Sequence, residues 1–157
     1  MQLRGTNVVL DTVAAKRPVI SGSGATRTLN ELESGSLVLF DRAAGIVFTL
    51  PTAPTPGTYF DFAVSVTITG GAAKVITGAG TELMVGQILG CDTDTGNATL
   101  VWPSLVATSN IAVSMNGTTT GGTKGDTFRA TCLNATTWLV SGHTNNNGVV
   151  ATPFATS

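Results

Sequence analysis

The sequence predicts an all-β fold, a β-sandwich or jelly-roll-like domain of about ten short antiparallel strands preceded by an extended N-terminal arm. Three observations carry that reading. Threonine, a β-branched residue suited to a half-exposed pleated surface, occurs 27 times and glycine 19 times in 157 residues. Turn-forming residues break the chain into short runs at the spacing of about 8–12 residues usual for sandwiches and barrels. Within Thr58–Thr69 the pattern alternates strictly, with Tyr59, Asp61, Ala63 and Ser65 on one face and Phe60, Phe62, Val64, Val66 and Ile68 on the other. One face of that run is built for burial and the other for water or a partner.

Residues 1–24 read as the arm and residues 25–157 as the sandwich domain. Leu3, Val8, Val9, Leu10 and Val13 are apolar without a sustained period, and Ser21-Gly22-Ser23-Gly24 makes a flexible joint. The alternative is the frayed terminus usual for first residues. The apolar content favours an arm that either crosses the domain or reaches a neighbouring subunit, which makes those five residues candidate interface residues.

Thr26–Leu29 is a short strand, and Asn30–Glu33 is a turn or a single helical turn. Ser36–Asp41, Ile46–Leu50 and Thr58–Thr69 are strands. The link Arg42-Ala43-Ala44-Gly45 joins the first two, and a proline corner, Pro51–Gly57, forms a rigid turn into the third. Gly70-Gly71 returns the chain into Ala73–Thr77. Glu82–Leu89 is a mostly apolar strand interrupted by Gly86, which marks a bulge or a close backbone approach. Cys91–Asn97 is a loop, and Ala98–Trp102 is a strand ended by Pro103. Ile111–Met115 is a strand and Asn116–Gly125 a glycine/threonine loop. Asp126–Leu133 and Thr137–Ser141 make a hairpin, and Val149–Phe154 is the last strand after the Asn145–Gly148 turn. There is no convincing helix and no fixed-period repeat, which argues against a propeller or solenoid.

Charged residues are 11% of the chain, against about a quarter in an ordinary domain, and the net charge is −1. Eight scattered lysines and arginines make no basic field for nucleic acid or anionic lipid. No window of 18 apolar residues spans a membrane, and no secretory signal is read at the N-terminus. So little charge suits a chain that hides surface in an assembly. The two cysteines, Cys91 and Cys132, do not make a disulfide framework and read as buried thiols.

The search for chemistry eliminates each candidate in turn. Asp92-Thr93-Asp94-Thr95-Gly96-Asn97 offers oxygen ligands at alternate positions, but where the calcium-loop pattern needs glycine and glutamate it has Asn97 and Pro103. An Asx-type turn is the better reading. Lys124 is preceded by Thr123 and followed by Gly125, so Gly117–Lys124 is not a phosphate loop. His143, the single histidine, has no serine, cysteine or acid fixed beside it by the sequence, and no nucleophile-elbow motif exists. The acids are dispersed, and most aromatics fall inside strands. Trp102, before Pro103, belongs at an edge or interface as readily as in the core, and joins the interface candidates. The chain is expected to have no catalytic, cofactor-binding or metal-binding residues.

One stretch carries a resemblance. Glu31–Phe60, E-x-x-S-G-S-L-V-L-F-D-R-A-A-G-I-V-F-T-L-P-x-x-x-x-P-G-x-x-F, is similar to a pattern in tailed-bacteriophage virion proteins, in head decoration (cement) proteins and in β-domains of tail fibres. Softer matches follow at Val113–Gly117 and Trp138–Gly142. The resemblance spans about 110 residues from Ala25, of which about thirty are motif-like, and leaves the arm uncovered. It implies a non-enzymatic virion protein without cofactor, made in the bacterial host cytoplasm. Such a protein sits on the outer capsid surface as a homotrimer bound to the major capsid protein, with no nucleic acid or membrane partner. The second reading is a tail-fibre or tailspike adaptor or receptor-facing module, which the lack of a long repetitive shaft disfavours. The third, a carbohydrate-binding or hydrolytic β-sandwich, asks for clustered carboxylates or exposed aromatics that the sequence does not offer.

Overall fold

The computed structural model describes residues 16–157 apart from 23, 72, 95, 97 and 105–108. Among the described residues twelve strands occur in chain order: β1 (Val19–Ser21), β2 (Thr26–Thr28), β3 (Leu37–Phe40), β4 (Val47–Thr49), β5 (Tyr59–Val64), β6 (Ala73–Ile76), β7 (Leu83–Asp92), β8 (Ala98–Pro103), β9 (Ala112–Met115), β10 (Thr127–Asn134), β11 (Thr137–Asn146) and β12 (Phe154–Ala155). They build two facing sheets. The larger has the order β1-β3-β5-β10-β11-β7-β8, and the smaller β12-β9-β6-β4-β2. The protein is an all-β sandwich. Its one helical element among the described residues is a 3₁₀ turn, Glu31–Glu33, which Asn30 and Glu33 cap reciprocally. No helix of the described residues is long and apolar enough to cross a membrane.

Alternation does the sorting. In β5, Phe60, Phe62 and Val64 point inward while Tyr59, Asp61 and Ala63 point out. The inward side chains of the larger sheet meet Phe48, Val75, Val113, Met115 and Phe154 of the smaller one in a single core. Phe40 of β3 meets Phe48 of β4 edge to face at 5.1 Å, and Phe62 stacks on Phe128 at 4.9 Å. The first pair links β3 to the facing sheet, and the second links β5 to β10 within the larger one.

Strand direction differs from the antiparallel expectation. Five of the ten strand pairings among the described residues are parallel: β1–β3, β3–β5, β2–β4, β4–β6 and β7–β11. The cause is the route of the chain. From β1 to β6 it alternates between the sheets, so each strand pairs with the one two before it, running the same way. A parallel pair needs a long crossover, and here the intervening strand in the facing sheet serves as that crossover. The Arg42–Gly45 link and the proline corner are corners between sheets rather than hairpin turns.

The ends of several strands also move. Thr58–Thr69 leaves the sheet after Val64, where Ser65 and Val66 both donate backbone hydrogen bonds to the carbonyl of Phe40 as the chain turns to cross. Cys91 and Asp92, read as loop, and Asn145 and Asn146, read as turn, belong to the ten-residue parallel pair β7–β11. The last strand shrinks to Phe154–Ala155, because only those residues pair with β9. Gly86 fulfils the close-approach reading: a Cβ there would lie 2.1 Å from the Val140 carbonyl oxygen, at φ +124°. Within the segment read as an arm, Val19–Ser21 forms the edge strand β1, while Leu3, Val8, Val9, Leu10 and Val13 lie outside the described residues.

Candidate interaction surface

The buried carboxylates are engaged in holding loops. Asp126, fully buried, accepts from the backbone N–H groups of Gly122, Thr123 and Asn145 and from Asn145 Nδ2, at 2.7–3.0 Å. Glu82, also buried, accepts from the N–H groups of Ala53, Gly78 and Ala79. Glu31 accepts from the N–H of Thr55 at 2.8 Å, so the proline corner is held by one carboxylate on each side. Asp92 forms the Asx turn expected of it, taking the Asp94 N–H at 3.2 Å, and Asp94 takes that of Gly148. His143 lies exposed on the larger sheet with its Nε2 3.2 Å from Thr127 Oγ1. Among the described residues, no three His, Cys, Asp or Glu side chains converge as metal ligands. The cysteines are unbridged: Cys132 is buried, and Cys91 is half-buried on β7.

What remains is surface. The outer face of the larger sheet carries one polar knot, centred on Asp61. Arg129 grips it through two bonds, Nε to Oδ1 at 2.6 Å and Nη2 to Oδ2 at 2.8 Å, and Arg17 adds a third. The Arg129 guanidinium also lies over the Tyr59 ring, 4.6 Å from its centroid. The hydrogen bond from Arg129 holds the Asp61 carboxyl below its usual range, and the same bond raises Arg129.

Elsewhere that face mixes polar side chains, among them Gln87, Thr131, Ser141 and His143, with exposed apolar ones. Val19, Leu83, Leu89, Val101, Leu133 and Leu139 are all exposed there, Leu89 by 48% and Val101 by 52%. Leu89 and Val101 stand side by side across the β7–β8 pair. β8 is the edge strand, and its six residues carry no charge. On the inner side of that edge, Trp102 is half-buried against the core and lines a groove of about 550 Å³ with Pro103 and Phe154. Trp102 is thus both a core neighbour and an edge residue, the two places its sequence context allowed.

The other candidate interface residues lie outside the described residues. Leu89 and Val101 were not among the candidates. The available signal was β7 itself, apolar at outward Leu83, Val85 and Leu89 as well as at inward Met84 and Ile88. A strand apolar on both faces either lies buried between layers or presents apolar side chains on its outer face.

No protein-family model, curated protein or solved structure matches this chain. Its function rests on its own residues. Those residues offer an exposed sheet face and edge, with the buried carboxylates Asp126 and Glu82 holding loops.

Proposed function

We propose that the chain is a structural protein of a tailed-phage virion, a decoration protein that binds the outer surface of the head as a homotrimer and bridges copies of the major capsid protein. The observation that carries this reading is the phage-like string Glu31–Phe60. It falls on one unbroken piece of architecture, from the capped 3₁₀ turn through β3, β4 and the proline corner into β5. Sparse charge and an uncharged sheet edge support a chain that assembles.

In this role no bond is made or broken. Packaged DNA presses outward, and a shell fails first where capsomers meet along thin edges. A trimer seated across such an edge adds contacts that must break before the capsomers part. Three modest contacts on one body act together through effective concentration, so attachment is firm without one strong site. Threefold symmetry repeats the same contact on each subunit.

The test is co-sedimentation of the purified protein with expanded empty shells and with procapsids. Binding to expanded shells but not procapsids is expected. Binding to tails alone transfers the protein to a tail-fibre or tailspike module, and binding to no particle overturns the virion reading.

A further inference from the structure

We infer that the free edge of β8 is the docking site for the apolar run Val8-Val9-Leu10 of a neighbouring copy, added to the larger sheet as an eighth strand. This rests on the homotrimer reading and names the surface through which the copies would join.

The four sheet edges are not alike. β2 is three residues long and turns Arg27 inward, tied to Glu33 at 2.6 Å and to the Ser21 carbonyl. An inward charge on a short edge blocks strand addition. β1 is three residues behind Pro18, and β12 is two. β8 is six residues without charge, paired on one side with β7 and on the other with no strand among the described residues. A long, uncharged edge invites a strand.

The flanks of β8 match the run. An added strand sends alternate side chains to opposite faces. Beside β8, one face offers exposed Val101 and Leu89, and the other offers the groove lined by Trp102 and Phe154. Trp102 Nε1 makes no hydrogen bond. A site apolar on both sides suits consecutive apolar residues, and Val8-Val9-Leu10 supplies three.

Distance decides which copy supplies them. The described chain begins at Lys16, just ahead of β1, at the opposite edge of the same seven-stranded sheet. Reaching the free side of β8 means crossing seven strand spacings, about 34 Å at about 4.8 Å each. Leu10 lies six residues from Lys16, at most about 20 Å of extended chain, and Val8 about 27 Å. Along the sheet the run therefore falls short of its own β8, which leaves a neighbour's as the proposed site. Leaving from one edge and docking at the other makes the contact head-to-tail, the kind that closes into a ring when the rotation fits.

The test uses co-expressed chains of different mass, all in a Cys91→Ser background. One carries Val8→Cys, Val9→Cys or Leu10→Cys, and the other Val101→Cys. A mixed disulfide of summed mass on a non-reducing gel is expected from at least one pairing. Val101→Lys is expected to shift the trimer to monomer in sedimentation while the β-type circular dichroism stays unchanged. If the wild-type protein is a trimer, yet no pairing cross-links and Val101→Lys stays trimeric, the docking site is wrong and the homotrimer stands. A chain carrying both cysteines that closes its disulfide at monomer mass overturns the neighbouring occupant. A wild-type protein that sediments as a monomer at every concentration overturns the docking site and the homotrimer together.

Discussion

Asp126 receives two hydrogen bonds from Asn145, nineteen residues away, one from the backbone N–H at 2.8 Å and one from Nδ2 at 2.7 Å. Both reach Oδ1, while Oδ2 takes the N–H groups of Gly122 and Thr123. One buried carboxylate thus pins the glycine/threonine loop to β11. Asp126→Ala leaves four donors without their acceptor at a fully buried position, and is expected to cost about 3–5 kcal/mol. Urea unfolding, with the slope unchanged, measures it. A loss under about 1 kcal/mol would mean that other contacts hold the loop.

Two glycines with positive φ separate backbone strain from steric collision. At Gly86 a Cβ would lie 2.1 Å from the Val140 carbonyl oxygen, inside the β7–β11 pair. At Gly80, φ +67°, nothing lies within 4 Å. Gly80→Ala should therefore cost only the left-handed backbone penalty, about 1 kcal/mol. Gly86→Ala must also separate two parallel strands, and should cost at least about 3 kcal/mol. Thermal unfolding of the two variants side by side is the measurement, and equal losses would contradict the close approach.

The strands were legible in the sequence because burial alternates along them, as in Phe60–Val64, and because glycine and proline punctuate their ends. Their directions were not. A four-residue link such as Arg42–Gly45 looks the same whether it turns back within a sheet or crosses to the facing one, and only the long-range pairing of Val38 with Phe62 distinguishes the two. The candidate surface was half legible. Proline after Trp102 marked an edge, but Leu89 and Val101 were hidden because an apolar residue on an exposed face has the same letter as one in the core. The anchoring role of Asp126 was hidden, since Asn145, to which it ties the loop, lies nineteen residues on in β11.

The two thiols should differ sharply in reactivity. Cys132 is buried, and burial, followed by the charges of Glu82 and Glu31, pushes its thiol above the usual range. Only the thiolate attacks, so both access and ionisation protect it. Cys91 sits half-buried on the outward face of β7. A thiol reagent at about pH 8 should label one cysteine per native chain and both in denaturant. Cys91→Ser should remove the native label, and persistent labelling of that variant would place Cys132 within reach of solvent.

Acid should release two of the carboxylate contacts. Asp61 is held low chiefly by its hydrogen bond from Arg129, against partial desolvation and with help from Arg17. Glu31 is held low by hydrogen bonds from Thr55, first the side chain and then the backbone, with a smaller one from Thr58. A carboxyl group depressed on folding stabilises fully above its unfolded pKa of about 4, and that contribution fades as pH falls through the lower folded value. At pH 7, Asp61→Asn should lose about 1 kcal/mol or less, since both arginines are about half exposed. The gap between Asp61→Asn and wild type should be constant from about pH 7 to 5 and close below about pH 4. Glu31→Gln should follow the same profile, because its partners lie across the proline corner and also need the ionised form. Melting curves across that range decide it: a gap that survives to about pH 2 would mean the substitutions act through packing rather than through charge.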